Sequence, residues 1–219
     1  MRAMPEAELG PPESALAAAP GEPSAAPSAS AEPGVPPAWA ALLGHFYARL
    51  GVPFPSLTRL SGEEVPEPYR RLLVHSNDMT PTLEQFYRRR LCLRVLGRER
   101  APAAYQREVV LQLAGNRRPA SYGAICIHLP NLPESARQIV LAETLPFGRI
   151  LHSEMIAHLS WPQAFFRADA DPHMSRLLDV ADARVLYGRR NVLVDGQRRL
   201  LAEVIEILAP VPESFVPHP

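Results

Sequence analysis

Two charged side chains stand where a strand pattern calls for hydrocarbon. Over residues 106–113, Arg107 shares a face with Val109, Leu111 and Leu113, because side chains two apart on a strand point the same way. Gln106, Glu108 and Gln112 fall on the other face. A guanidinium among aliphatic side chains requires a partner, since an unpaired buried charge is costly. Glu203 poses the same problem beside Leu201, Ile205 and Ile207, whereas Glu206 falls with Ala202, Val204 and Leu208. Period-two alternation leaves open which glutamate faces the core. One outcome is a buried Arg107–Glu203 salt bridge, which can be neutral for stability. The other is a binding site. Arg107 would hold a ligand carboxylate through paired hydrogen bonds, and Glu203 would bind a ligand hydroxyl or assist a proton transfer.

The elements that must position these residues follow from periodicity. Trp39, Leu42, Leu43, Phe46, Tyr47 and Leu50 recur at helical spacing, and Gly51 and Pro53 end that helix. Residues 52–68, with Pro53, Pro55, Pro66 and Pro68, read as an irregular connection. A short helix is expected over Tyr69–His75. Another is expected with Thr80 as its N-cap and Pro81 at its first position, running through Leu83, Phe86 and Tyr87. The period then changes to two over Leu91–Leu96, Gln106–Leu113 and Ser121–Leu129, with a turn at Ala114-Gly115-Asn116. Pro133–Leu145 reads as helix. Residues 163–184 are placed only loosely. Val185–Val194 and Gln197–Leu208 flank Asp195-Gly196, a dipeptide suited to a two-residue type I′ turn. That register pairs Val194 with Gln197 and sets Glu203 opposite Gly188. Strands gathered in hairpins predict an α+β fold: one antiparallel sheet of about six strands with helices packed on one side.

Residues 1–37 hold nine of the 25 prolines and no aromatic residue, which predicts a disordered tail. The folded domain is expected over 38–212, with a flexible end at 213–219. The 23 basic residues balance 23 acidic ones, which disfavours nucleic-acid binding. Met1–Gly10 is too charged for a signal peptide, and no stretch of ~18 apolar residues suggests a membrane span. Two cysteines, Cys92 and Cys126, form no CxxC pair and fit a reduced, cytoplasmic setting. Both lie in apolar strands, where a thiol acts as a small hydrophobe. His152, His158 and Glu154 lack the spacing of a metal-binding helix, so no metal is expected.

Several short motifs, in order along residues 77–210, resemble the bacterial chorismate pyruvate-lyase family. They are Asn77-Asp78-Met79-Thr80, Arg107-Glu108 opening a strand, Pro146-Phe147-Gly148-Arg149, Tyr187-Gly188-Arg189-Arg190, and Glu203 seven residues after Gly196. The resemblance implies a six-stranded antiparallel sheet with an internal ligand site and no metal or organic cofactor. It also implies elimination of pyruvate from chorismate to give 4-hydroxybenzoate. Carried onto this chain, it assigns substrate binding to Met79, Arg107, Phe147 and Glu203, and catalysis to Glu203 with Arg107. Arg190 shares the Glu203 face in the assumed register and is a further ligand candidate. Arg189 points the other way. Two positions depart from the family: Gly123-Ala124 stands where the family has Gly-Arg, and Phe147 stands at a leucine. The effector-binding domains of some bacterial transcription regulators are similar in fold. The alternative reading is therefore a non-catalytic sensor or carrier of a small anionic aromatic or cyclohexadienyl acid. In either case the expected form is a monomer without nucleic-acid or membrane partners.

Overall fold

The computed structural model describes residues 34–181 and 184–212, so most of the expected tail and all of the expected flexible end lie outside the described residues. The first apolar stripe winds into a 3-10 turn, Ala38–Ala40, and helix α1, Ala41–Leu50. Gly51 closes α1 in the left-handed region at φ 66°, a conformation open to glycine because it has no Cβ. The chain continues through β1 (Leu57–Leu60), α2 (Tyr69–Leu73), α3 (Met79–Tyr87), β2 (Leu91–Arg100), β3 (Ala104–Leu113) and β4 (Pro119–His128). Helices α4 (Glu134–Ala142) and α5 (Phe147–Ser153) follow, then β5 (His158–Asp169), α6 (Pro172–Leu178), β6 (Val185–Asp195) and β7 (Leu200–Leu208).

All strands join one antiparallel sheet of seven, in the order β1-β5-β6-β7-β4-β3-β2. The strand beyond the expected six is β1, from the proline-rich stretch read as irregular. It lies at the sheet edge, pairing Leu57 with Ala168, where flanking prolines are tolerated. The loosely placed region contains the end of β5 and all of α6. A register shift between Pro162 and Ala164 breaks the alternation of β5, which hides it from a period-two reading. The helix expected over 133–145 stops at Ala142, where Glu143 turns left-handed at φ 56°. Helix α3 begins at Met79 with Asp78 preceding it, two residues before the expected start. Pro81 is accommodated because N–H groups in the first turn lack an intrahelical partner anyway.

The last hairpin differs from the expected two-residue turn. Arg198 N–H donates to the Asp195 carbonyl, Arg198 takes a left-handed φ of 62°, and Asp195 N–H donates to the Arg199 carbonyl. The Asp195 carboxylate accepts from the N–H groups of Gln197 and Arg199, which holds the longer turn. The register consequently moves, so that Glu203 faces Val192 and Gly188 faces Ile207.

Helices α2–α5 form the expected layer on one side of the sheet, over Leu91, Leu111, Leu113, Ile125, Ile127 and Leu193. On the opposite face α1 and α6 pack against Val110, Tyr122, Ala124, Phe166, Ile205 and Ile207. Arg107 lies on the α2–α5 face, in a row that runs across the sheet as Arg107, Ile125, Val204 and Asn191. Among the described residues no helix is long and apolar enough to cross a membrane.

Candidate functional site

Between the sheet and the starts of α3 and α5 lies a cavity of about 70 Å³, partly open to solvent. Its walls are mostly hydrocarbon: Leu93, Val109, Leu111, Ile125, Leu193 and Val204 from strands, Met79 and Phe147 from the helices. Three charged side chains reach it, Arg107, Asp78 and Glu206. Gly123 shapes the floor. A Cβ there would meet the Ile205 carbonyl oxygen at 2.1 Å and Glu206 Cα at 2.9 Å, so β4 and β7 can lie this close only without one.

The sheet buries two arginines on this face, and they differ in kind. Arg189 is fully buried and saturated. Its Nε donates to Glu206 Oε1 at 2.8 Å, Nη1 to the carbonyls of Leu73 at 3.1 Å and His75 at 3.0 Å, and Nη2 to that of Asn77 at 3.1 Å. It is a structural tie between β6 and the connection into α3. Arg107 is 1% exposed, yet only its Nη2 has an acceptor, the Leu145 carbonyl at a long 3.4 Å. Its Nε and Nη1 are buried without a partner. Burial lowers the Arg107 pKa to about 10, partly offset by the charges of Tyr105 and Glu143. The group therefore remains a cation at neutral pH.

Acceptors gather toward the β6 side of the cavity. Burial pushes the Glu206 carboxyl above the usual carboxylate range, against the pull of Arg189. Asp78 Oδ2 accepts from His158 Nε2 at 2.8 Å, while Asp78 Oδ1 is buried without a partner. The other His158 nitrogen, Nδ1, lies 2.7 Å from the Ile156 carbonyl. Both ring nitrogens face acceptors, an arrangement that favours the doubly protonated ring, an imidazolium. The Asp78 contact accordingly raises the His158 pKa. Asn191 Nδ2 donates to Ser160 Oγ at 2.8 Å, leaving Asn191 Oδ1 buried and unpartnered.

Of the residues singled out from the sequence, Met79, Arg107 and Phe147 line this cavity. Glu203 and Arg190 do not. They pair at 2.6 Å on the opposite face, at a separate depression that also includes Trp39, His45, Gln106 and Cys126. No Arg107–Glu203 salt bridge forms, because the two side chains leave the sheet on opposite sides. The glutamate that enters the cavity is Glu206. The alternation of β7 contained that signal as the second of two faces. Asn191 had none, since an asparagine in a strand pattern carries no mark of depth. Asp78 lay within the motif segment, but its neighbour Met79 was the residue singled out.

Behind Arg107, its neighbour Glu108 is buried on the α1–α6 face. It accepts from the Tyr122 hydroxyl at 2.7 Å and lies 3.2 Å from His173 Nε2. This network fastens α6 to the sheet from the face opposite Arg107.

No protein-family model matches the chain, and no curated protein matches it. Among solved structures it is similar to PhnF from Mycobacterium smegmatis, at 11% identity over 62% of this chain and 65% of that one, with a TM-score of 0.47. The effector domain of PhnF aligns at 13% identity over 60% of this chain and 88% of that one, with a TM-score of 0.44. A ligand-binding domain from Bordetella bronchiseptica, described as that of a GntR-family transcriptional regulator, aligns at 16% identity over 54% and 85%, with a TM-score of 0.43. What the site can do chemically follows from its own geometry: an apolar cavity with one buried cation that no carboxylate among the described residues pairs directly.

Proposed function

We propose that the chain binds a small monoanionic carboxylic acid, aromatic or cyclohexadienyl in its body, without transforming it. The observation that carries this reading is the partly satisfied Arg107 guanidinium on an apolar wall. A buried charge without a direct partner is costly in the ligand-free protein. A ligand carboxylate recovers that cost with charge-assisted hydrogen bonds to Nε and Nη1. Flat hydrocarbon of the ligand would lie against Val109, Ile125, Val204 and Phe147.

Charge count favours a monoanion. Glu206 is matched by Arg189 and Asp78 by His158, so Arg107 alone among the charged lining residues lacks a counterion. A dianion such as chorismate would bring a second carboxylate to a wall already holding two. That argues for binding over the lyase reaction implied by the family resemblance. The lyase reading also relied on Glu203, which stands across the sheet from the cavity.

Titration calorimetry with benzoate and 4-hydroxybenzoate, on wild type and Arg107→Met, tests the proposal. Binding by wild type and loss of at least tenfold in affinity in the variant are expected. In parallel, chorismate is incubated with the protein and chromatographed. Arg107-dependent release of pyruvate and 4-hydroxybenzoate would overturn the non-catalytic reading. Absence of binding to any of the acids would overturn the site.

A further inference from the structure

The unpartnered polar atoms of the cavity are not scattered. Donors without acceptors, Arg107 Nε and Nη1, come from β3. Acceptors without donors, Asp78 Oδ1 and Asn191 Oδ1, sit on the β6 side. Arg107 and Asn191 occupy the same row of the sheet, with Ile125 and Val204 between them. Three strand spacings separate their backbones, roughly 14 Å at ~4.8 Å each.

We infer that Asp78 and Asn191 form a second subsite, which takes a neutral hydrogen-bond donor such as a hydroxyl at the end of the ligand remote from its carboxylate. This rests on the carboxylate-binding reading above and adds the polarity of the far end. Each unpaired acceptor can receive a hydrogen bond that the folded chain does not supply. Glu206 is less available, because Arg189 occupies its Oε1. The neutrality of the donor follows from His158. The imidazolium already balances the Asp78 charge at 2.8 Å, so an ammonium placed there would meet a neutral ion pair and be stripped of water for little return. Asn191 offers a dipole only. A hydroxyl loses far less on desolvation and can reach either oxygen.

The experiment is a calorimetric series on the full chain with benzoate, 3-hydroxybenzoate, 4-hydroxybenzoate and 4-(aminomethyl)benzoate. It is run on wild type, Asp78→Ala and Asn191→Ala, with thermal unfolding as the check on folding. One hydroxybenzoate should bind wild type at least tenfold more tightly than benzoate, corresponding to about 1.4 kcal/mol. The zwitterionic aminomethyl compound should gain nothing over benzoate. Asp78→Ala should erase the hydroxyl gain, read as the ratio of hydroxybenzoate to benzoate affinity within the same variant. Asn191→Ala should reduce the gain, and it reads the same end of the cavity if Asp78→Ala folds poorly. Equal binding of benzoate and both hydroxybenzoates, with Arg107 still required, would sink the subsite and leave the carboxylate site standing. A gain that survives in both variants would also sink it, as would a preference for the ammonium compound. Failure of every acid to bind would remove both.

Discussion

Glu203 and Glu206, three residues apart on β7, leave the sheet on opposite sides, and each meets one of two adjacent arginines. Glu203 pairs with Arg190 at 2.6 Å in a partly exposed setting, Glu206 with fully buried Arg189 at 2.8 Å. An odd separation along a strand enforces this division. The consequences of mutation should divide in the same way. Glu203→Gln is expected to change stability by less than about 1 kcal/mol, as partly exposed ion pairs do, and to leave ligand affinity unaltered. Glu206→Ala abandons a buried guanidinium and should cost about 3–5 kcal/mol. Urea unfolding of the two variants, with benzoate titration of the first, checks both outcomes.

Arg107 and Arg189 should differ as sharply. Arg107→Met removes a charge with little to bond it, so the ligand-free protein is expected to gain about 1–2 kcal/mol while losing carboxylate binding. Arg189→Met strands Glu206 and the carbonyls of Leu73, His75 and Asn77, and should lose about 3–5 kcal/mol. Thermal melts without ligand decide the matter. A loss of stability in Arg107→Met would mean that the guanidinium is serving the fold.

Two histidines shift in opposite directions. Burial, reinforced by the Arg189 charge, lowers the His75 pKa from 6.5. In the interval just below 6.5 the unfolded chain then binds the proton more readily than the folded one, so stability rises with pH there. The Asp78 hydrogen bond raises the His158 pKa above 6.5. Just above 6.5 the folded chain is the better proton binder, and stability falls as pH rises through the His158 value. Stability should therefore pass through a maximum near pH 6.5. His158→Gln should flatten the alkaline side and His75→Gln the acidic side, in melting temperatures measured across that range.

Gly123→Ala places a methyl group where the Ile205 carbonyl oxygen is 2.1 Å away. Neither strand can yield without breaking the β4–β7 ladder. The variant is expected to lose about 1–3 kcal/mol or more and to bind benzoate poorly through a distorted cavity floor. Chemical denaturation and titration of whatever folds will show it.

Much of the fold was legible from periodicity, because α1, β2–β4 and the β6–β7 pair each hold one period over most of their length. What escaped did so for local reasons. Strand β5 carries Pro162 at a register shift, and β1 is four residues long amid prolines. Arg107 announced itself as a cation within an apolar alternation. Glu203 and Glu206 could not be ranked from alternation alone. The register that was to decide between them assumed a two-residue turn, whereas the Asp195 carboxylate holds a longer one. Asn191 and Asp78 acquire meaning only when distant strands and helix starts converge, which pattern along the chain does not encode.

The Arg189 tie has a mechanical corollary. It fastens the chain just before α3 to β6, and β6 is continuous through β7 and β4 with β3, which bears Arg107. A ligand gripping Arg107 at one end and Asp78 at the other would close that path into a loop of bonded parts. Elements free to open separately would then open only together. Occupancy should accordingly be felt as slowed amide exchange along α3 and β3 at once, including backbone that the ligand never touches.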